Sequence, residues 1–120
     1  MKVTPEIENL TDICKEHTSL DLSLYEKYNV KRGLRDINGK GVLAGLTQVS
    51  NVKATKIVDG KEVPCAGSLS YRGYDIKDLT RGFIEDDRYG FEEVTYLLLF
   101  GSLPDKKQLA DFTQLLADQR

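Results

Sequence analysis

The chain is poor in the residues on which most reaction centres turn. Its 120 residues include one histidine, two cysteines and one methionine. A Ser-His-Asp or Cys-His arrangement would have to use His17, because there is no other imidazole. Cys14 and Cys65 stand far apart, in no C-x-x-C or Cys/His spacing, so a metal site has no support. Two reduced cysteines packed as small hydrophobes are expected, not a disulfide. An excess of either charge is also lacking. The 17 basic and 19 acidic residues leave a net charge of −2, which gives no broad positive field for nucleic acid or an anionic membrane. No apolar run reaches the length of a membrane span, and Met1-Lys2-Val3-Thr4-Pro5-Glu6 lacks the apolar stretch of a signal peptide. The expectation is a cytoplasmic protein with no nucleic-acid and no membrane partner.

What is present describes a packed domain. A hydrophobic fraction of 40% is too high for a disordered chain, and this length can enclose a core. Thr4 can cap a helix with Pro5 at its first position; Ile7, Leu10, Ile13 and Cys14 then share one face, and the helix should end near His17. A second, short helix is expected from Asp21. Gly33, Gly39, Gly41 and Gly45 break up residues 31–47. Residues 52–58 alternate and are rich in β-branched side chains. Asp59-Gly60 then signals a tight hairpin into residues 61–63, because a type I′ turn needs positive φ at both central positions. Pro64 is expected to end or edge the returning strand, and residues 68–71 to add one more short strand.

From Asp75 onward the pattern is helical. Asp75 can cap a helix whose apolar face is Ile76, Leu79 and Phe83. Residues 91–100 begin with acids at the positive helix end and become apolar nearly all round towards Gly101, so this helix should be deeply buried. Asp105 with Gln108 forms a capping box for a last helix bearing Leu109, Phe112, Leu115 and Leu116. That helix meets no glycine, asparagine or proline at Asp118-Gln119-Arg120, and the chain is expected to be cut there. By pattern the chain falls into a helical leader (1–30), a glycine-rich segment with a small β element (31–74) and a helical segment (75–120).

Several residues invite a chemical reading and are better explained without one. His17 sits at a helix end, where an imidazole engages the last carbonyls or the dipole. Gly33, Gly39, Gly41 and Gly45 match neither G-x-x-x-x-G-K-[ST] nor G-x-G-x-x-G, and read as turn glycines. Lys31, Arg32 and Arg35 have the charge to hold a carboxylate or phosphate, but a salt-bridged surface is the better expectation. Glu85, Asp86 and Asp87 lack the alternating spacing of a calcium loop and are expected to be solvated. Residue chemistry alone assembles no nucleophile, base and oxyanion site.

Two longer blocks say more. Leu69-Ser70-Tyr71-Arg72-Gly73-Tyr74-Asp75-Ile76-Lys77-Asp78-Leu79 is followed by Phe91-Glu92-Glu93-Val94-Thr95-Tyr96-Leu97-Leu98-Leu99-Phe100-Gly101-Ser102-Leu103-Pro104. In order and separation they resemble the paired "YRGYDI" and "FEEVAYLLLYGELP" signature of citrate synthases. Upstream, Gly33-Leu34-Arg35 and Gly41-Val42-Leu43-Ala44-Gly45-Leu46-Thr47 are similar to the family's entry to its β hairpin, particularly in the bacterial branch. The resemblance covers residues 31 to the end and points to the N-terminal portion of such an enzyme.

It implies a mainly α fold with a small N-terminal β hairpin or meander. It also implies an acyltransferase of the tricarboxylic acid cycle that condenses acetyl-CoA with oxaloacetate, and a homodimer. In that family an aspartate removes a methyl proton, histidines stabilise the enol and activate the ketone, and arginines hold the oxaloacetate carboxylates. These residues lie downstream of the matched region. No catalytic, cofactor-binding or metal-binding residue is therefore assigned to this chain, no cofactor is expected on it, and by itself it should be inactive. Arg72 tempts as a carboxylate ligand, but the family uses its Arg-Gly pair as structure. Two alternatives remain: a 2-methylcitrate synthase, which uses propionyl-CoA, and a non-catalytic α+β module binding a protein through residues 97–100. The apolar helix at 91–100 is expected to drive association into a dimer or larger.

Overall fold

The computed structural model describes residues 3–31, 33–35, 39, 41–42 and 44–119. Among them the order is α1 (Pro5–Thr18), α2 (Ser23–Lys27), β1 (Ser50–Val58), β2 (Lys61–Tyr71), β3 (Tyr74–Asp75), α3 (Ile76–Glu85), α4 (Phe91–Phe100) and α5 (Lys106–Asp118). The fold is mainly helical, with one antiparallel sheet in the order β1-β2-β3. Contacts divide the chain into two compact units, Met1–His17 with Val49–Arg120 and Thr18–Gln48. The stretches 1–30, 31–74 and 75–120 group residues by pattern, whereas these units group them by contact.

In the larger unit, helix ends form where local chemistry asks for them. Thr4 Oγ1 accepts from the Ile7 amide at 3.3 Å, which satisfies one of the orphan donors of α1. Asp75 caps α3 by accepting from the Lys77 amide at 2.8 Å. Both halves of the α5 capping box are made: the Gln108 amide donates to Asp105 Oδ1 at 2.8 Å, and the Asp105 amide to Gln108 Oε1 at 2.9 Å. Removing that side chain in Asp105→Ala should lower stability by about 1 kcal/mol, read as a lower urea midpoint at unchanged slope. An unchanged midpoint would mean that tertiary packing alone holds the start of α5.

The sheet departs from expectation. Asp59, at φ 49°, and Gly60, at φ 74°, form the two-residue turn, and β1 begins at Ser50, two residues earlier than its β-branched run. Pro64 does not end the returning strand; β2 runs unbroken for 11 residues, joining the two short strands expected at 61–63 and 68–71. The proline is tolerated because β3 pairs only with Ser70 and Tyr71, so β2 has a partner on one side alone at position 64. The pairing also slips: Thr55 faces Pro64 but Lys53 faces Ser68, which leaves residues 65–67 opposite Ala54. β3 was not expected. It forms because Arg72 and Gly73, with φ of 48° and 90°, make a second two-residue turn between the paired Tyr71 and Tyr74.

The core lies where α1, α4 and α5 meet. Tyr96, Phe100 and Phe112 stack edge to face with ring centroids 4.5 to 5.8 Å apart, and Leu10, Ile13, Cys14 and Leu116 close around them. Leu97, also on α4, is fully buried. The helix expected to be deeply buried is so at Glu93, Tyr96, Leu97 and Phe100, while Phe91 is 70% exposed and Leu99 43%. Packing covers one side of α4 only. Within residues 97–100, read as a possible protein-binding surface, Leu97 and Phe100 are core residues and Leu99 is the exposed one.

In the smaller unit, α2 begins at Ser23, two residues later than Asp21 suggested. Asp21 Oδ1 accepts from the Ser23 amide at 2.9 Å, and this bond holds its carboxyl below the usual pKa. Gly39 has a φ of 79°, and Arg35 and Gly41 form an isolated antiparallel bridge. No helix among the described residues is long and apolar enough to cross a membrane.

Candidate functional site

The densest set of long-range polar contacts in the larger unit centres on Arg72. Its backbone is fixed by the two-residue turn and by its amide, which donates to the Val49 carbonyl at 2.8 Å. Its guanidinium donates from Nε at 3.3 Å and from Nη2 at 2.9 Å to the Leu98 carbonyl, and from Nη1 at 3.3 Å to the His17 carbonyl. Both acceptors lie in the last turns of helices, α4 and α1, where carbonyls lack intrahelical partners and carry the negative end of the dipole. One planar cation thus ties two helix ends to the sheet.

The third party at this junction is His17. Gly101, at φ 83°, ends α4 in the left-handed conformation, and its amide donates to the Leu97 carbonyl at 2.9 Å. A Cβ there would stand 2.9 Å from His17 Nδ1, so the imidazole packs where only glycine leaves room. The sequence placed His17 at a helix end near the last carbonyls; in the structure its ring meets Gly101, and its own carbonyl receives Arg72. These contacts hold the fold together. All three guanidinium nitrogens of Arg72 are committed to backbone carbonyls.

A second charged group lies at the start of α4. Arg88 Nε is 3.0 Å from Asp86 Oδ2, and Nη1 is 2.5 Å from Glu93 Oε2. Nη1 is buried, and the Glu93 carboxylate is the charge that faces it. Bonding to Glu93 first and Asp86 second raises the guanidinium pKa above its ordinary value. Glu93, only 9% exposed, needs that cation, because an uncompensated buried carboxylate is strongly destabilising. Glu85, Asp86 and Asp87 are all exposed, as their sequence suggested; Asp86 is in addition ion-paired with Arg88. The pair borders an open cavity of about 530 Å³ that Asp105, Lys106 and Leu109 also line.

The cationic residues of the glycine-rich stretch are described in part. Arg35 Nη1 donates to the Gly39 carbonyl at 3.4 Å, Lys31 is exposed, and Arg32 lies outside the described residues. Cys14 packs against the aromatic core, and Cys65 sits half-buried on β2 as a free thiol. Among the described residues no group of three or more His, Cys, Asp or Glu side chains is placed to hold a metal ion.

The two blocks read from the sequence therefore meet in space: Arg72 in the first bonds to Leu98 in the second. A family profile described as "Citrate synthase, C-terminal domain" matches residues 33–120. The chain belongs to the citrate synthase family. Among curated relatives, it is 38% identical over 86 residues to "2-methylcitrate synthase 2" of Corynebacterium glutamicum, covering 72% of this chain and 17% of that protein. It is 37% identical over 81 residues to "Citrate synthase" of Saccharolobus solfataricus, covering 67% and 18%. It is 42% identical over 55 residues to "Citrate synthase 1, peroxisomal" of Arabidopsis thaliana, covering 46% and 9%. The chain thus spans less than a fifth of the first two citrate synthase relatives. No solved structure matches it.

Two features of this citrate synthase segment escaped the sequence reading. The Arg72-Gly73 turn had a usable signal, since a residue followed by glycine between two tyrosines has the form of Asp59-Gly60. The Arg88–Glu93 pair had none, because nothing local links a loop arginine to a helical carboxylate.

Proposed function

We propose that this chain is the N-terminal, scaffold part of a citrate-synthase-type acyltransferase, a cytoplasmic homodimer that condenses acetyl-CoA with oxaloacetate in the tricarboxylic acid cycle. The chemistry is supplied by other residues of that enzyme. The observation that carries this reading is the bond between the family's two blocks, Arg72 to Leu98, which spends the one tempting carboxylate ligand on helix ends. His17, the sole imidazole, is spent likewise against Gly101. No cofactor is assigned to the chain; acetyl-CoA enters as a substrate of the whole enzyme.

The names of the relatives favour a second reading, condensation of propionyl-CoA. Proteins named 2-methylcitrate synthase and citrate synthase match at 38% and 37% identity, too evenly to separate the two acyl donors. One experiment tests both. Thiol release is followed with oxaloacetate and either acetyl-CoA or propionyl-CoA, first on this chain, then on the Corynebacterium glutamicum relative with its matched segment replaced by this one. The chain alone should give no turnover, and the folded chimera should keep its rate within about tenfold. Turnover by the chain alone would place catalytic groups within it. A folded but dead chimera would sink the scaffold assignment.

A further inference from the structure

Between α1, α4 and α5 a cleft of about 150 Å³ opens beside the aromatic core. Its walls are of two kinds. Leu10 and Phe112 give an apolar floor, while Glu6, Asn9 and Asp111 stand at the rim. Tyr96 also lines it. That residue is 5% exposed, and its phenol has no hydrogen-bond partner among the described residues. The ring is held in the aromatic core, and the cleft is the open space beside it into which a hydrogen-bonding group can come.

The lining selects the class of ligand. Two carboxylates at the rim exclude an anion, and among the described residues no group of three or more His, Cys, Asp or Glu side chains is placed to hold a metal ion. A group that is apolar along its length and cationic at its tip satisfies floor, rim and hydroxyl together. The chain already shows what the rim accepts: Lys107 Nζ lies 2.5 Å from Asp111 Oδ2, and Glu6 adds to the field that raises the lysine pKa. The Lys107 side chain is 84% exposed, so it covers the rim from outside and can swing away. We propose that this cleft binds a primary alkylammonium group, its methylenes on Leu10 and Phe112 and its charge between Glu6 and Asp111, in competition with Lys107.

The test is a titration of the 120-residue chain with n-butylammonium, followed by amide chemical shifts. Saturable shifts are expected at Asn9 and at residues 108–112, with a Kd of about 1–10 mM. Glu6→Gln should weaken binding about fivefold, and Lys107→Gln, which removes the competitor, should tighten it by a similar factor. Both positions are exposed, so neither change threatens the fold. Tyr96→Phe keeps the ring and should weaken binding without moving the other core signals. Two further ligands separate the sources of such a group. Tighter binding by Nα-acetyl-lysine methylamide supports a lysine of a polypeptide, and tighter binding by putrescine supports a free polyamine. The proposal is overturned if neutral n-butanol binds as well as the amine, if butyrate does, or if Glu6→Gln and Lys107→Gln leave binding unchanged.

Discussion

Arg72→Ala should remove about 2–4 kcal/mol from the stability of the larger unit. The side chain makes three charge-assisted hydrogen bonds to two carbonyls that no helical amide can reach. Hydrogen bonds to a charged group contribute about 1.5–3 kcal/mol, and those here are partly open to water, which sets the lower end of the range. Two companion variants separate clamp from backbone. Arg72→Lys keeps the charge but not the planar fork, so it should fall between wild type and alanine. Arg72→Gly loses the clamp but relieves the left-handed φ of 48°, so it should be more stable than alanine by about 1 kcal/mol. Urea unfolding measures all three. An alanine variant within about 0.5 kcal/mol of wild type would show that the helix ends stay together without the clamp.

Phe112→Ala should cost still more, about 3–5 kcal/mol. Its ring meets both Tyr96 and Phe100 edge to face, at 5.4 and 5.8 Å, and each such pair adds to the burial of the ring. The space left behind would be bordered by Leu10, Ile13, Tyr96 and Phe100 and would open onto the cleft beside the core. A loss of that size is a large fraction of the stability of a domain of this length. Calorimetry gives the magnitude, and Cys14 gives an independent reading. Packed against the same cluster, its thiol should react faster with an aromatic disulfide reagent in the variant. A loss below about 1 kcal/mol, with Cys14 still protected, would mean that the aromatic triad is not the core.

What could be read from the sequence divides by the range of the interaction. Thr4-Pro5, Asp75, Asp105 with Gln108, Asp59-Gly60 and Gly101 each declare themselves within four residues, and each forms the cap or turn it announces. Misreadings came where a local rule met a distant exception. Pro64 stops a strand only when both edges are paired, and whether β3 reaches that far is not written near position 64. The helix at 91–100 looks apolar all round because composition does not say how many neighbours come to cover it. Arg72 is the extreme case, since its acceptors lie 26 and 55 residues away in the chain. Family resemblance located the block that holds this arginine, but only the fold shows what the guanidinium grips.

The slip in the sheet matters in a way that concerns chain length. Near Asp59-Gly60 the register of β1 against β2 is dictated by that turn; near Arg72 it is dictated by the clamp, and the two registers disagree by two residues. Residues 65–67, bulged opposite Ala54 within the unbroken strand, absorb the difference. An insertion or deletion there alters the bulge and leaves both anchors in place. The same change between Ser68 and Arg72 would drag the arginine along the strand and away from both helix ends. The irregularity is therefore an expansion joint, and the hairpin beyond it can lengthen or shorten without the helices registering the change.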